Sequence, residues 1–242
     1  MTDFYGADLA TIHAEAFEAL AVSAADTLLA HVEASALTGR LLDLGCGAGP
    51  LSLRLASYGF RVWGVDQSAA LIQRARARLP DGEFVCGSIV DVALPTGSAA
   101  VAVSEVLNYA TSDDSSELAR MFQRVFEALE PGGVFLFDLA EPGRGGVSQA
   151  FTECSDWPVG MIATEHNDLL VRRITTFRTA KDGDWRRSFE EHRLRLWLAT
   201  DVTSQLVTVG FEVALLGAYS GLKTPPALQV YLARKPKSAQ NS

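Results

Sequence analysis

Residues 40–50 have the sequence Arg40-Leu41-Leu42-Asp43-Leu44-Gly45-Cys46-Gly47-Ala48-Gly49-Pro50, a short apolar run followed by three closely spaced glycines. The apolar run predicts a buried strand. Pro50 suits the first turn of a helix, because its missing N–H would have no partner there. Glycine is needed where the backbone turns sharply and comes close to a ligand, since it has no Cβ. The stretch therefore predicts a strand, a ligand-binding loop and a helix in succession.

Strands and helices are predicted to alternate after this stretch. Apolar runs predict four further strands, at 61–66, 83–86, 100–104 and 134–139. Apolar residues at helical spacing predict helices between most of them. Two final strands are predicted at 211–216 and 228–232. The pattern is typical of an α/β fold with a doubly wound, mostly parallel seven-stranded sheet that helices cover on both faces.

The length predicts one domain, residues 1–242. Its predicted segments are a helical segment at 1–38 (one broken helix or two), a ligand-binding core at 40–140, a β-rich insertion at 146–200, a C-terminal helix with the last two strands at 201–235, and a disordered tail at 236–242. The insertion contains a predicted hairpin of 169–179 and 185–198, turned at Lys181-Asp182-Gly183-Asp184.

The composition excludes several classes of protein. The 242 residues carry a net charge of −8, which argues against nucleic acid as the main partner, because phosphate binding depends on clustered Lys and Arg. The three cysteines have no CxxC spacing and the four histidines are scattered, so we expect no metal site and a reducing, cytoplasmic location. The N-terminus does not have the pattern of a signal peptide, and no apolar run approaches a membrane span, so we expect no membrane partner.

The glycine spacing and two acids restrict the ligand of the loop. A dinucleotide fingerprint has the order G-x-G-x-x-G, whereas here the third glycine comes one residue early and Pro50 takes the sixth place. Proline removes an N–H that a pyrophosphate would use, and Asp43 would repel phosphate but attract a positively charged ligand. Asp66 ends the second strand about twenty residues after the first glycine, where an acid hydrogen-bonds a ribose diol. The pattern favours a cationic adenosine ligand and disfavours an NAD-dependent oxidoreductase.

Several motifs, in the same order, resemble those of class I S-adenosylmethionine-dependent methyltransferases. Residues 43–49 look like the first motif of that family, and Val65-Asp66-Gln67-Ser68 resembles its second-strand acid. Leu129-Glu130-Pro131-Gly132-Gly133 and the strand after it are similar to a later motif. The resemblance covers residues 40–140, with a looser match in the last two strands. It implies a Rossmann-like fold of the small-molecule type, with S-adenosylmethionine as cofactor and S-adenosylhomocysteine as product.

The resemblance also implies a set of cofactor-binding residues. Gly45, Cys46 and Gly47 would surround the methionine portion, with Asp43 near its amino group. The others would be Asp66 at both ribose hydroxyls, Gln67 beside the adenine, Ser88 and Ile89 at the adenine edge, and Ser104 beside the methionine portion. Most relatives have an acid at the position of Ser88, which leaves the contact here to a hydroxyl or to the backbone.

Methyl transfer needs alignment more than a particular side chain, so the sequence restricts the acceptor side weakly. Glu105, Asn108 and Tyr109 follow the fourth strand, where substrates of the family lie. Asn108 and Tyr109 would orient a polar acceptor, or else form a helix-entry loop with a buried tyrosine. Tyr219, after the sixth strand, is a further substrate-binding candidate.

The 146–200 insertion resembles the substrate lid of small-molecule methyltransferases, and residues 1–38 resemble a helical flap over the cofactor. In the lid, Glu190, His192, Leu194 and Leu196 are spaced two residues apart, so their side chains would lie on one face of a strand. Glu190 would orient the His192 imidazole as a base, or else the two belong to a polar edge strand.

We predict methyl transfer from S-adenosylmethionine to a nitrogen or oxygen atom of a small-molecule acceptor, by a monomer or homodimer. The catalytic candidates are His192, Glu190 and Tyr109. One alternative is a protein of this fold that binds S-adenosylmethionine without transferring methyl, because the transfer requires no invariant side chain. An NAD-dependent oxidoreductase is a less favoured alternative.

Overall fold

The structure is a computed structural model that describes residues 9, 18–32, 39–111, 114, 116–179, 184–223 and 225–237. The predicted helical segment at 1–38 is therefore described only in part, and the hairpin turn at 181–183 lies outside the described residues. Of the predicted disordered tail, only residues 236 and 237 are described.

The described residues form six helices and eleven strands. Helices α1 to α6 are Glu18–Leu29, Pro50–Ala56, Ala69–Arg78, Val106–Ala110, Glu117–Ala128 and Ala199–Val209. Strands β1 to β5 are Arg40–Leu44, Arg61–Asp66, Glu83–Cys86, Gly97–Ala102 and Leu129–Ala140. Strands β6 to β11 are Val147–Cys154, Trp157–His166, Leu169–Thr179, Trp185–Arg195, Glu212–Leu215 and Leu228–Arg234.

Seven strands form one sheet in the order β10-β11-β5-β4-β1-β2-β3. β1 pairs in parallel with β2 on one side and β4 on the other, whereas β11 is antiparallel to both of its neighbours. The strand order reverses at β1, and open α/β sheets bind ligands at the carboxyl ends of the strands beside such a point. The predicted doubly wound, mostly parallel seven-stranded fold is confirmed.

A second, antiparallel sheet of four strands, β6-β7-β8-β9, is inserted between β5 and α6. We call it the inserted sheet. The predicted hairpin corresponds to β8 and β9, which pair from Leu169 with Arg195 to Thr179 with Trp185. β6 is not among the predicted strands, because all of its residues are exposed and no alternation of apolar and polar residues indicates a buried face.

Several strand boundaries differ from the prediction, among them those of β4 and β5. β4 ends at Ala102, because Ser104 and Glu105 have φ values of 74° and 62°, which no strand accommodates. β5 begins at Leu129, which pairs with Gly97, so the Pro-Gly-Gly turn expected before the strand lies within it.

Apolar layers cover both faces of the seven-stranded sheet. On one face, α5 and α6 pack Phe122 and Leu206 into a cluster with Phe137. On the other, α1 to α3 contribute Leu28, Leu55 and Ile72 to a cluster with Leu41. The helices leave the carboxyl ends of β1, β2 and β4 accessible. No helix in the described part of the chain has both the length and the apolar character to cross a membrane.

Candidate active site

The loop between β1 and α2 depends on glycine for its shape. Gly45 and Gly47 have φ values of 77° and 54°, in the left-handed region that glycine enters without strain. The N–H groups of Gly45 and Cys46 donate hydrogen bonds of 2.8 and 3.0 Å to the carbonyl oxygen of Val65. A Cβ on Gly45 would lie 2.4 Å from a methyl carbon of Val106, so the position has no room for a side chain.

Asp43 is buried behind this loop. The hydroxyl of Ser52 donates a hydrogen bond of 2.5 Å to its Oδ2. Burial raises the pKa of Asp43 to about 7, against the lowering effect of the Ser52 hydrogen bond, and repulsion from Asp66 adds to the increase. A positive charge on a ligand beside Asp43 would favour its ionised form.

Asp66 ends β2 and holds the glycine loop. Its Oδ2 accepts a hydrogen bond of 3.0 Å from the N–H of Gly47, and its Oδ1 accepts one of 2.8 Å from the N–H of Ser68. Burial raises the pKa of Asp66, although both hydrogen bonds act to lower it. The carboxylate thus connects the loop to the start of α3.

Two adjoining cavities lie at these strand ends and share Gly45, Asp66, Val106 and Tyr109 in their walls. The first is also lined by the predicted cofactor residues Asp43, Cys46, Gly47 and Ser104, and the second by Gln67 and Ile89. Ser88 lines neither cavity, and its hydroxyl accepts a hydrogen bond of 3.3 Å from the N–H of Val90 in the turn after β3. The structure therefore brings together every predicted cofactor residue except Ser88.

Asp138 holds the strained backbone of the two residues after β4. Positive φ values are uncommon for residues with side chains, and Ser104 and Glu105 both have them. Their N–H groups donate hydrogen bonds of 2.9 and 2.5 Å to the carboxylate of Asp138, to which the Tyr219 hydroxyl donates a third, of 2.7 Å. Burial raises the pKa of Asp138 to about 6, although these three hydrogen bonds lower it. This one carboxylate therefore stabilises the backbone of both residues.

Glu105 is buried between two arginines. Its Oε1 lies 2.5 Å from Nη2 of Arg144, in the loop after β5, and its Oε2 lies 2.6 Å from Nη2 of Arg172, on β8. Both arginine side chains are 15% exposed. Charge-assisted hydrogen bonds of this kind are strong, so the cluster fastens the inserted sheet to the loop after β4.

Tyr109, a predicted catalytic residue, lines both cavities. Its hydroxyl accepts a hydrogen bond of 3.0 Å from Nη1 of Arg172, and its ring meets the His192 ring edge-on, with centroids 5.5 Å apart. His192 and Glu190 are paired as the sequence suggested, with Nε2 and Oε2 2.8 Å apart. His192 is 1% exposed and lines neither cavity, so it contacts the Tyr109 ring from the protein interior and not from the cavities.

Asn108 and Tyr219, two predicted substrate-binding residues, are engaged inside the protein. The amide of Asn108 donates to the carbonyl oxygens of Ala140 and Arg195, at 3.0 and 2.5 Å, and its Oδ1 accepts from the N–H of Ala140 at 2.9 Å. The Tyr219 hydroxyl is bound to Asp138. Neither residue lines either of the two cavities, and buried polar groups of this kind are satisfied by protein partners. Both side chains therefore hold together the protein segments around the cavities. The sequence had predicted instead that they would contact an acceptor.

Known proteins resemble the chain in sequence and in fold. Residues 41–133 match the family described as a methyltransferase domain. Trans-aconitate 2-methyltransferase of Paracidovorax citrulli is 38% identical over 121 residues, which cover 48% of this chain and 44% of that protein. A protein of Geobacillus sp. (strain WCH70), provisionally described as a methyltransferase, is 28% identical over 187 residues, which cover 72% and 74%. The crystal structure of an S-adenosylmethionine-dependent methyltransferase from Clostridium acetobutylicum has a TM-score of 0.80 at 21% identity and covers 94% of this chain and 97% of that one.

The chain is similar to methyltransferase domains over residues 41–133, and it has the fold of S-adenosylmethionine-dependent methyltransferases. It spans only 38 to 42% of the length of several other curated relatives.

The first cavity fits the cofactor of these methyltransferases, S-adenosylmethionine, which carries an ammonium and a sulfonium. Asp43 and Asp66 place two carboxylates in the cavity wall, and burial raises the pKa of both. A cationic ligand would compensate the burial of these two acids, whereas a pyrophosphate would add to their repulsion.

Sequence reasoning did not identify three residues of the candidate site, which are Asp138, Arg144 and Arg172. Asp138 lies in a continuous apolar strand, where a single acid is itself an unusual feature and was the available signal. Arg144 lies in a glycine-rich loop, and Arg172 is one of two adjacent arginines that resemble a solvated strand face. Their partners are 33 to 81 residues away in sequence, so local patterns do not indicate these contacts.

Proposed function

We propose that this chain transfers the methyl group of S-adenosylmethionine to a nitrogen or oxygen atom of a small-molecule acceptor. One observation carries the proposal. Tyr109 lines the cavities that contain Asp43 and Asp66, and its hydroxyl is bound by Arg172 of the inserted sheet. The cofactor cavity and the inserted sheet therefore meet at one side chain, where an acceptor would be enclosed.

On the cofactor side, we assign Asp43 to the ammonium and Asp66 to the ribose hydroxyls. Gly45, Cys46 and Gly47 would enclose the methionine portion, because the wall they form is mainly backbone. Gln67 and Ile89 line the second cavity and would contact the adenine, and Ser104 lies at the end where the methyl group would be. Support comes from the convergence of these residues on two adjoining cavities.

When bound, S-adenosylmethionine would supply a methyl group on a positively charged sulfur, so that the acceptor lone pair bonds to the methyl carbon in line as the carbon–sulfur bond breaks. The residues around the acceptor then have two tasks, to exclude water and to accept a proton. Arg172 favours the phenolate form of Tyr109, because its guanidinium donates a hydrogen bond to the phenolic oxygen. We therefore assign Tyr109 as the group that takes the proton of a hydroxyl acceptor or hydrogen-bonds a neutral amine.

The pair of His192 and Glu190 has a supporting role in this proposal. The imidazole contacts the Tyr109 ring and lines neither cavity, so it would fix the direction of the phenol. Glu190 in turn holds the imidazole through its 2.8 Å contact with Nε2. An acceptor of metabolite size agrees with the name of the trans-aconitate methyltransferase relative, which specifies a small molecule.

The release of S-adenosylhomocysteine tests the proposal. The protein is incubated with S-adenosylmethionine and with separate panels of small amines, carboxylic acids and alcohols. We expect product in at least one panel and less product from Tyr109→Phe, which keeps the ring in place. Calorimetric binding of S-adenosylmethionine without turnover in any panel would support the alternative of a protein that binds the cofactor without transferring methyl.

A further inference from the structure

The inserted sheet has one face that packs on the rest of the protein and one that does not. Side chains alternate between the two faces of a sheet. The strand pairings put Arg172, Ile174, His192 and Leu194 on the packed face, where Ile174, His192 and Leu194 are buried. We call the opposite side the outer face. Its large apolar side chains are 40 to 68% exposed: Val147, Phe151, Ile162, Phe177, Trp185 and Phe189.

The apolar area of the outer face matches what one partner contributes to a stable interface. The exposed parts of the four aromatic side chains alone amount to roughly 400 Å². A standard interface buries about 800 Å² per partner, of which about 60% is apolar. Exposed apolar patches of several hundred Å² are often sites of contact with another molecule.

In two rows of the outer face, the side chains at the two ends of the row are complementary to each other. One row crosses the sheet in the order Phe151, Gly160, Thr175, Phe189. In the next row Glu153 pairs with Pro158 at the β6 edge, and Phe177 pairs with Arg187 at the β9 edge. The first row thus has an aromatic side chain at each end, Phe151 and Phe189. The second row has opposite charges at its two ends, on Glu153 and Arg187.

A two-fold axis parallel to the strands brings these ends together. Stacked sheets keep their strands nearly aligned, and such an axis would place β6 of one copy over β9 of the other. Phe151 would then face Phe189 of the second copy, and Glu153 would face Arg187 of the second copy. The remaining charges of the face are partly paired within the chain, since Nε of Arg173 lies 3.1 Å from Oε2 of Glu191.

We propose that the outer faces of two copies of this chain pack against each other and form a two-fold symmetric homodimer. The net charge of −8 repels a second copy at a distance, so the contact depends on the apolar side chains and on the two Glu153–Arg187 pairs. The interface lies on the side of the inserted sheet opposite to Arg172, so the proposal does not depend on the proposed function.

Analytical ultracentrifugation of the full chain at micromolar concentration tests the dimer. We expect the wild type to sediment as a dimer, and Phe189→Glu to weaken dimerisation by about 100-fold or more, because it would bury an unpaired charge. Val207→Glu is the matched control, since Val207 is 58% exposed on α6 and lies outside the proposed interface. A monomeric wild type, or a dimer that Phe189→Glu leaves intact, overturns the proposal.

Exchange of charges tests the arrangement. Glu153→Arg and Arg187→Glu each place like charges opposite one another, so we expect each variant alone to dimerise about tenfold more weakly. In an equimolar mixture, a heterodimer would restore both opposite-charge pairs and should form preferentially. No preference for the heterodimer would overturn this two-fold arrangement.

Trp185 gives a readout that does not depend on hydrodynamics. It is 56% exposed, whereas Trp63, Trp157 and Trp197 are 9% exposed or less. We expect an aqueous quencher to reach Trp185 more readily in Phe189→Glu than in the wild type. A wild-type monomer with a protected Trp185 would show that something other than a second copy covers this face, and would overturn the proposal.

Discussion

The Tyr219 hydroxyl donates a hydrogen bond of 2.7 Å to Oδ2 of Asp138, and so connects the segment after β10 to the loop after β4. The same carboxylate binds the N–H groups of Ser104 and Glu105, whose positive φ values would otherwise be unfavourable. Asp138 therefore determines where Ser104 stands in the cofactor cavity and where Glu105 meets the two arginines.

Asp138→Asn should destabilise the protein and lower turnover. The new amide would face a backbone N–H, donor against donor, so we expect the free energy of unfolding to fall by about 2–3 kcal/mol in urea titrations. Tyr219→Phe removes only one of the three hydrogen bonds and should cost about 1 kcal/mol. Equal losses in the two variants would contradict the central role of Asp138.

Stability without cofactor should decline as the pH rises from about 4 to about 7. Asp43 and Asp138 have folded pKa values of about 7 and about 6, above the ordinary 3.8, so the folded state retains protons that the unfolded chain has released. Their stabilising contribution is complete below about pH 4 and is lost as the pH passes through about 6 and 7. Urea unfolding of the wild type and of Asp43→Asn would measure this, and the variant should show a smaller decline.

The affinity for S-adenosylmethionine should change with pH in the opposite direction. A cationic ligand favours ionised Asp43, so protonation of this group below about pH 7 competes with binding. We expect calorimetry to show tighter binding at pH 8 than at pH 6, in proportion to the ionised fraction of about one group. Asp43→Asn should bind more weakly and lose most of this dependence; an unchanged pH profile would argue against the ammonium assignment.

Asp66→Ala should weaken cofactor binding by more than about tenfold, because paired hydrogen bonds from a charged acceptor to the ribose would be lost. Ser88→Ala is the matched control. Ser88 lines neither cavity, so its substitution should change the dissociation constant by less than about twofold. If Ser88→Ala had the larger effect, the adenine would lie elsewhere than in the second cavity.

Arg172→Gln should lower turnover by about tenfold or more. The substitution removes the cation that favours the phenolate of Tyr109. Arg173→Gln is the control, because Arg173 is the next residue of β8, points to the outer face and pairs with Glu191. The same loss of turnover in both variants would assign the effect to general charge and not to the contact with Tyr109.

The sequence allowed the cofactor side to be predicted much better than the acceptor side. Asp43, Gly45 and Asp66 lie in one strand–loop–helix unit and its neighbouring strand, so their convergence on the first cavity follows from order along the chain. The pairing of Glu190 with His192 was likewise predictable, because residues two apart on a strand share a face.

The acceptor side depends on contacts between distant segments. Asn108 was expected at the surface of the site because it follows a strand end, but its amide is bound by the carbonyl oxygen of Arg195, 87 residues further on. Arg172 has no distinguishing neighbour in sequence and becomes a site residue only because β8 is folded over Tyr109. Side-chain direction after a strand end is decided by tertiary packing, which spacing along the chain does not report.

The alternation of β8 has an evolutionary consequence. Arg172 faces Tyr109, and its immediate neighbour Arg173 faces away from it, so one strand carries two independent sets of positions. Substitutions at even-numbered positions of β8 and β9 would alter acceptor preference, while odd-numbered positions would stay free to conserve or change the outer face. Descendants of this sequence would thus be able to acquire new acceptors without any change to the outer face.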